Sequence, residues 1–272
     1  MIRYYGKMQH EWHEIKTPEQ RAAVAGLFDG IDISLVNTFV QGYGERGWCD
    51  RSDDPSVAVF ECQGLLFYGG NPLVSQAERF AAFLPTTNDE WHVFCNDDGW
   101  LPLIEDAHPN RTQRYIRYGM NRDLKAFNRE LLLRATRNIP PEYETVRIGK
   151  GHYELAVSED WSRDFCSFFK DLDDFLKNGI GFCAIREDQM VSGASSFTIF
   201  DGGIEVQVET HQEYRRHGLA TACSAALILA CIEENRLPCW DAFCEHSRDL
   251  ALKLGYTIEK EYTALLVNRH EN

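Results

Sequence analysis

From Gly218 to Arg236 the chain runs almost without a polar side chain, and Leu219, Cys223, Ala226, Leu227, Ala230 and Cys231 recur there at helical spacing. A helix this apolar is stable in water only when it is covered, so it predicts a layered fold in which the helix lies against a sheet. The preceding segment supplies the sheet signal. Ile204, Val206 and Val208 alternate with Glu205, Gln207 and Glu209, which predicts a strand ending near Thr210 with its carboxylates on one face. The longest apolar run, Ala225 to Ile232, falls far short of the ~20 residues that span a bilayer, so this is a core helix and no membrane partner is expected.

The pattern extends in both directions. Ser158 can cap a helix carrying Trp161, Phe165, Phe168, Leu172, Phe175 and Leu176 to a stop at Asn178-Gly179. Phe182–Arg186 and Met190–Phe200 read as a hairpin turning at Glu187-Asp188. Downstream, the reading is a strand over Cys239–Cys244, a short helix over Ser247–Leu254 stopped by Gly255, and a last strand over Tyr262–Val267. The first half is also mixed. Thr17-Pro18-Glu19-Gln20 is a helix start with a capping Thr, Pro at the first position and Gln at the third, with Gly30 as a stop. A second apolar-periodic segment runs from Leu35 to Val40, two strands flank Gln63-Gly64, a helix covers Ser75–Leu84, and a strand covers Trp91–Cys95. A helix over Asp123–Arg137, with Leu124, Phe127, Leu131, Leu132 and Ala135 inward, runs into Pro140-Pro141, which ends helices and stiffens linkers. The boundary is therefore set there: an N-terminal α/β domain over 1–141 and a second over 142–272. No residue-level repeat links them.

At 272 residues with 44% hydrophobic content, the chain can bury two modest cores. Asp and Glu outnumber Lys and Arg by 42 to 28, leaving a net charge of −14, so nucleic acid is not an expected partner and a cationic one is. Nine scattered cysteines with no Cys-x-x-Cys read as reduced, mostly buried thiols. Met1–Lys7 carries no secretory pattern, which makes cytoplasmic the expected location. No metal is expected: His-Glu-x-x-His is absent, and His10 with His13 lacks further ligands at useful spacing. The nucleotide-binding Gly-x-x-x-x-Gly-Lys-Ser/Thr and Gly-x-Gly-x-x-Gly patterns and the hydrolase Gly-x-Ser-x-Gly are absent too.

Between the strand and the apolar helix lies His211-Gln-Glu-Tyr-Arg215-Arg216-His217-Gly218-Leu219-Ala220-Thr221. Free N–H groups and the positive dipole end of the helix favour a diphosphate, Gly218 permits close backbone approach, and Arg215 and Arg216 add charge. Solvated arginines at an ordinary corner are the competing reading. Arg215-x-x-Gly218-x-Ala220, after a strand and opening a helix, resembles the acyl-CoA pyrophosphate loop of the GNAT superfamily of N-acetyltransferases. Leu254-Gly255-Tyr256 is similar to the family's closing Leu-Gly-aromatic. Glu205-x-x-x-Glu209-Thr210 with Trp240-Asp241-Ala242 resembles the two-part members that include zwittermicin A resistance enzymes. The resemblance spans roughly Phe182 to Val267.

It implies a mixed sheet flanked by helices, with acetyl-CoA as co-substrate and direct acetyl transfer to the primary amine of a small, cationic molecule. Val208, Glu209 and Thr210 would pair with the pantetheine arm; Arg215, Arg216, His217, Gly218, Leu219, Ala220 and Thr221 would cradle the phosphates; Cys244 and Ser247 would complete the cofactor site. The N-terminal domain would complete the acceptor pocket, and a homodimer is allowed for. Two residues depart from the pattern: Cys244 stands where relatives have Asn, and Ala251 where many have a Tyr acid. The amine must lose a proton as it attacks, so a carboxylate or His near the strand end is needed. Glu209 is expected nearest the thioester, with Glu205 and His211 as alternatives and a solvated strand acid as the plain reading of each carboxylate. Tyr256 is expected to pack. Asp164, Asp171, Asp173 and Asp174 could attract a cation or form an ordinary solvated face. The rival function, drawn from Ala251 and Cys244, is a non-catalytic acyl-CoA-binding sensor or interaction module.

Overall fold

The computed structural model describes residues 12–44 and 46–270; Met1–Lys7 and His10 lie outside the described residues. The strands are β1 (His13–Ile15), β2 (Gly47–Cys49), β3 (Val57–Cys62), β4 (Leu65–Gly70), β5 (Glu90–Cys95), β6 (Thr112–Met120), β7 (Glu144–Arg147), β8 (Gly181–Arg186), β9 (Gln189–Phe200), β10 (Gly203–Thr210), β11 (Leu237–Cys239), β12 (Asp241–Ala242) and β13 (Ile258–Asn268). The helices are α1 (Pro18–Ala25), α2 (Ser34–Val40), α3 (Ala77–Ala81), α4 (Trp100–Ala107), α5 (Arg129–Arg137), α6 (Lys150–Ser158), α7 (Leu172–Asn178), α8 (Leu219–Glu233) and α9 (Glu245–Leu254). Among the described residues no helix is long and apolar enough to cross a membrane.

Two compact units emerge, one of 12–117 with 262–270 and one of 118–261, so the chain passes between them inside β6 and inside β13. This differs from a boundary at Pro140-Pro141. The reason is α5: Leu132 is fully buried with Ala225, Ile228 and Leu229 of α8, which ties the segment before the prolines to the second unit.

Both units follow one plan. In the first, β1, β2, β3 and β4 pair antiparallel in sequence and β4 pairs parallel with β5. In the second, β7, β8, β9 and β10 pair antiparallel in sequence and β10 pairs parallel with β11. Each plan then takes a strand from the far part of the chain: β13 pairs with β5 in the first unit, and β6 pairs with β12 in the second. The units differ at the parallel pair. β4 keeps β5 as a partner through Leu65–Tyr68, and the next helix, α3, has five residues; β10 keeps β11 only through Gly203–Glu205, and the next helix, α8, has fifteen.

Local chemistry explains the elements. At α1, Thr17 Oγ1 accepts from the Gln20 amide at 3.3 Å while Gln20 Oε1 accepts from the Thr17 amide at 3.0 Å, the reciprocal cap that the sequence predicts. The β8–β9 turn holds Glu187 and Asp188 at φ of 50° and 65°, the mirror-image geometry that matches strand twist. Trp91, Val93 and Tyr68 bury with Leu265 and Val267 in the first core, and Cys183, Val191, Ile204 and Cys223 with Phe165 in the second.

Two helix expectations fail. Ser158 ends α6 instead of capping a helix, and Trp161 and Phe168 lie in an irregular segment around the short turn Arg163–Phe165; Asp171 caps α7 by accepting from the Asp174 amide at 2.9 Å. Aromatic residues recurring every three or four positions fill a core equally well from a folded loop, so spacing alone does not establish a helix. The helix expected from Asp123 breaks at Phe127 and restarts under an Asn128 cap, which leaves Leu131 exposed. All nine cysteines are free and seven are buried.

Candidate functional site

The second unit contains a fork. β10 pairs with β11 at Gly203, Ile204 and Glu205, and then the two part, β11 giving way after Trp240 to β12, whose partner is β6. A register shift in the β9–β10 ladder falls between Glu205 and Val206, at the same level. Glu205 occupies the closed end of the fork: its side chain is buried and Oε1 accepts from the Asp241 amide at 2.9 Å. Val206 and Val208 turn toward the apolar core under α8, so the alternation read from sequence holds along the fork.

At the open end, Glu209 Oε1 accepts from the Thr210 amide at 2.9 Å and from Arg215 at 3.2 Å. Arg215 Nε also donates to the Thr210 carbonyl at 3.2 Å. Thr210 therefore has both backbone groups engaged by its own neighbours, and Val206–Glu209 form the stretch of β10 beyond β11. Below the strand, Ser192 and Thr210 hydroxyls bond at 2.7 Å, fixing the strand end to β9.

The loop Gln212–Gly218 turns the chain into α8 through two left-handed residues, Arg216 at φ 67° and Gly218 at φ 79°. Gly218 is the N-cap and offers no side chain, so the amides of Leu219, Ala220 and Thr221 start the helix without a side-chain cap. A Cβ on Gly218 would sit 3.1 Å from the Asn138 carbonyl oxygen at a left-handed φ, so glycine is favoured here by both conformation and space. Arg216 and His217 are exposed; His217 Nδ1 lies 3.1 Å from the Tyr214 carbonyl. His211 leaves the strand end with its ring 5.7 Å from both Trp161 and Tyr214, and its buried Nδ1 has no hydrogen-bond partner among the described residues.

Cys244 is the half-buried N-cap of α9 and makes no side-chain cap bond. The Ser247 hydroxyl accepts from Trp240 Nε1 at 3.0 Å. Ala251 is fully buried. Tyr256 packs, as expected: it is buried, donates to the Pro238 carbonyl at 2.7 Å, and burial holds its phenol well above the ordinary range. Three of the four acidic residues of the α7 region are used locally, and Asp173 is exposed. Asp171 caps α7, Asp174 accepts from the Lys170 amide and from Asn178, and Asp164 accepts from Ser167. Among the described residues no three His, Cys, Asp or Glu side chains form a metal-holding group.

Sequence reasoning thus finds the fork strand and the loop. It misses Asp241 as the group that clamps Glu205 and Asn138 as the neighbour of Gly218, because both act through backbone atoms whose positions depend on tertiary packing.

The GNAT acetyltransferase family matches residues 25–265, and the chain belongs to that family. A GCN5-related N-acetyltransferase-like protein from Streptococcus suis 89/1591 superposes with a TM-score of 0.82 at 31% identity, covering 92% of this chain and 99% of that one. An uncharacterized N-acetyltransferase of Bacillus subtilis strain 168, YdfB, is 32% identical over 173 residues, covering 63% of this chain and 64% of that protein's length. A tandem GNAT protein from the clavulanic acid biosynthesis pathway shares the fold at a TM-score of 0.57 and 12% identity, covering 96% of this chain and all of that one.

Proposed function

We propose that this protein is an acetyl-CoA-dependent N-acetyltransferase that acetylates the primary amine of a small cationic molecule, using one site in its second unit. The fork carries the reading. Backbone groups of Val206–Glu209 lie beyond the end of β11, where the amides of a pantetheine arm can pair with them as a neighbouring strand would. The arm's diphosphate fits the start of α8, where helix amides and the dipole favour an anion and Gly218 leaves room that a Cβ would fill. β4 of the first unit pairs with β5 over Leu65–Tyr68, four of its six residues, and the next helix has only five residues, so the reading assigns that unit no second site.

Acetyl-CoA supplies the thioester; the chain supplies its placement and the proton acceptor. A ligand with its phosphates at α8 and its arm along β10 runs from Glu209 back to Val206, roughly 10 Å of strand. The reactive end then reaches the closed end of the fork. This moves the favoured base from Glu209, which is engaged by Arg215 at the phosphate end, to Glu205. In this assignment Glu209 positions Arg215 and the loop, and Glu205 takes the amine proton, directly or through water. His211 is the alternative acceptor, with its unpartnered Nδ1. The net charge of −14 favours a cationic acceptor.

A free-thiol release assay with acetyl-CoA and a panel of polyamines, aminoglycosides and amino-containing antibiotics tests the reading. Turnover with at least one amine is expected. Tight acetyl-CoA binding without turnover on any amine would instead establish the sensor role.

A further inference from the structure

A buried carboxylate keeps its charge only where donors face it, and the ladder around Glu205 shows which side chains do. In β10, Glu205 stands opposite Thr198 of the antiparallel β9 and level with Cys239 of the parallel β11. Side chains at paired positions of a sheet share a face, so the carboxylate lies in a row between a hydroxyl and a thiol, and all three residues are buried. The next pair along the ladder is Val206 with Ser196, which leaves Phe197 as an extra residue opposite the step from Glu205 to Val206. A bulge of this kind re-aims the side chains beside it, and this one falls at the closed end of the fork. The remaining groups near Glu205 carry no positive charge. Tyr256, whose phenol is held up by burial first and then by Cys231, Cys239 and Glu205, donates to the Pro238 carbonyl, and Asp241 offers its amide, which serves Oε1. Of the two side chains in the row, Thr198 is the strong donor, because a thiol donates weakly.

Resting on the assignment of Glu205 as the proton acceptor, we propose that Thr198 is a positioning residue for it: the Thr198 hydroxyl donates to Oε2 as the Asp241 amide donates to Oε1. Two donors from different strands fix the plane of the carboxylate and favour the charged form, the form that can take a proton. As the amine nitrogen attacks the thioester, its proton passes to Glu205 directly or through water, and Thr198 keeps its own proton throughout. Thr198 thus acts on the reaction only through Glu205.

NMR of the full chain carrying an isotope label at the glutamate side-chain carboxyl carbon tests this, with the resonance missing from Glu205→Gln identifying Glu205. Thr198→Val keeps the shape and removes the donor. It is expected to move that resonance, to raise its titration midpoint by about one pH unit and to lower kcat about tenfold on an amine that the panel above identifies, with acetyl-CoA affinity by calorimetry unchanged. Thr198→Ser, which keeps the hydroxyl, is expected to restore all of these. Should Thr198→Val not fold, Thr198→Ala against Thr198→Ser carries the same comparison. A resonance and a kcat that loss of the hydroxyl leaves unchanged, or that Thr198→Ser disturbs as much, overturn the inference while Glu205 stays the acceptor. Wild-type kcat in Glu205→Gln, or no turnover on any amine, overturns the reading beneath it.

Discussion

Replacing Glu205 by Gln separates chemistry from structure, because the amide keeps the volume and an acceptor oxygen for the Asp241 N–H. What is lost structurally is the charge assistance in one 2.9 Å hydrogen bond, which amounts to about 1 kcal/mol. For a chain of this size that shifts Tm by roughly 2–4 °C. The loss of a positioned proton acceptor is larger, about 10²- to 10⁴-fold in kcat, equivalent to roughly 3–5 kcal/mol of barrier. The variant should therefore fold, bind acetyl-CoA with near wild-type affinity by calorimetry, and release thiol at least a hundredfold more slowly at neutral pH. Raising the pH should recover part of that rate, because an amine that has already lost its proton needs no acceptor. Glu209→Gln is the comparator. Its exposed pair with Arg215 is worth at most ~1 kcal/mol, so this variant should weaken acetyl-CoA binding a few-fold and keep kcat. If Glu209→Gln takes the large rate loss and Glu205→Gln does not, the direction assigned to the arm is wrong. Unchanged kcat in both across the pH range makes His211 or solvent the acceptor.

Gly218→Ala should lower acetyl-CoA affinity and Gly218→Glu should abolish it, since the first forces a Cβ to 3.1 Å from the Asn138 oxygen at a left-handed φ and the second adds a negative charge to the cradle; calorimetry on folded variants decides. Saturation binding should give one acetyl-CoA per chain, and two would refute the assignment of the site to the second unit alone. Alkylation of the native protein should reach at most the half-buried Cys244, because burial, with Asp98 and Asp97 nearby, holds the Cys95 thiol well above the ordinary range, and burial pushes Cys49 up to about 11 and Cys166, Cys183 and Cys231 up to about 12; mass spectrometry showing rapid modification of all nine without unfolding would contradict this. Burial, with Arg111 beside it, holds His108 down to about 4, so its neutral form stabilises the fold above the unfolded value near 6.5 and that contribution, roughly 3 kcal/mol, is lost as pH falls from 6.5 to 4. Urea midpoints should fall across that interval in the wild type and fall less in His108→Asn.

The parts of this fold that were legible in the sequence are those specified by neighbours along the chain. The Thr17–Gln20 cap, the Glu187-Asp188 turn, the alternation of β10 and the apolar α8 each follow from a few adjacent residues, and all form where expected. The loop that enters α8 was legible for the same reason: Gly218 is favoured by its own left-handed φ. What could not be read depended on distant partners. Cys239–Cys244 looks like one strand, but β11 follows β10 while β12 follows β6, and only that divergence opens the fork. The two carboxylates of β10 look equivalent by alternation; Asp241 and Arg215, which distinguish them, come from different segments. Pro140-Pro141 marks a real helix end without marking a boundary, since Leu132 before it is committed to α8.

The crossed strands have a consequence for how the protein is made. Residues 90–93 wait for 265–268 before the first unit's sheet is complete. Domains that emerge first during synthesis ordinarily fold first, whereas here the earlier unit cannot finish until the later one has been translated. Closing a loop of that length costs little more at equilibrium than closing a shorter one, but it slows the search, so the half-built unit carries an unpaired β5 edge meanwhile. The first unit is not a portable part: any single cut between β5 and β13 leaves its sheet short of a strand, whereas the second unit is one continuous segment that holds its own pairings.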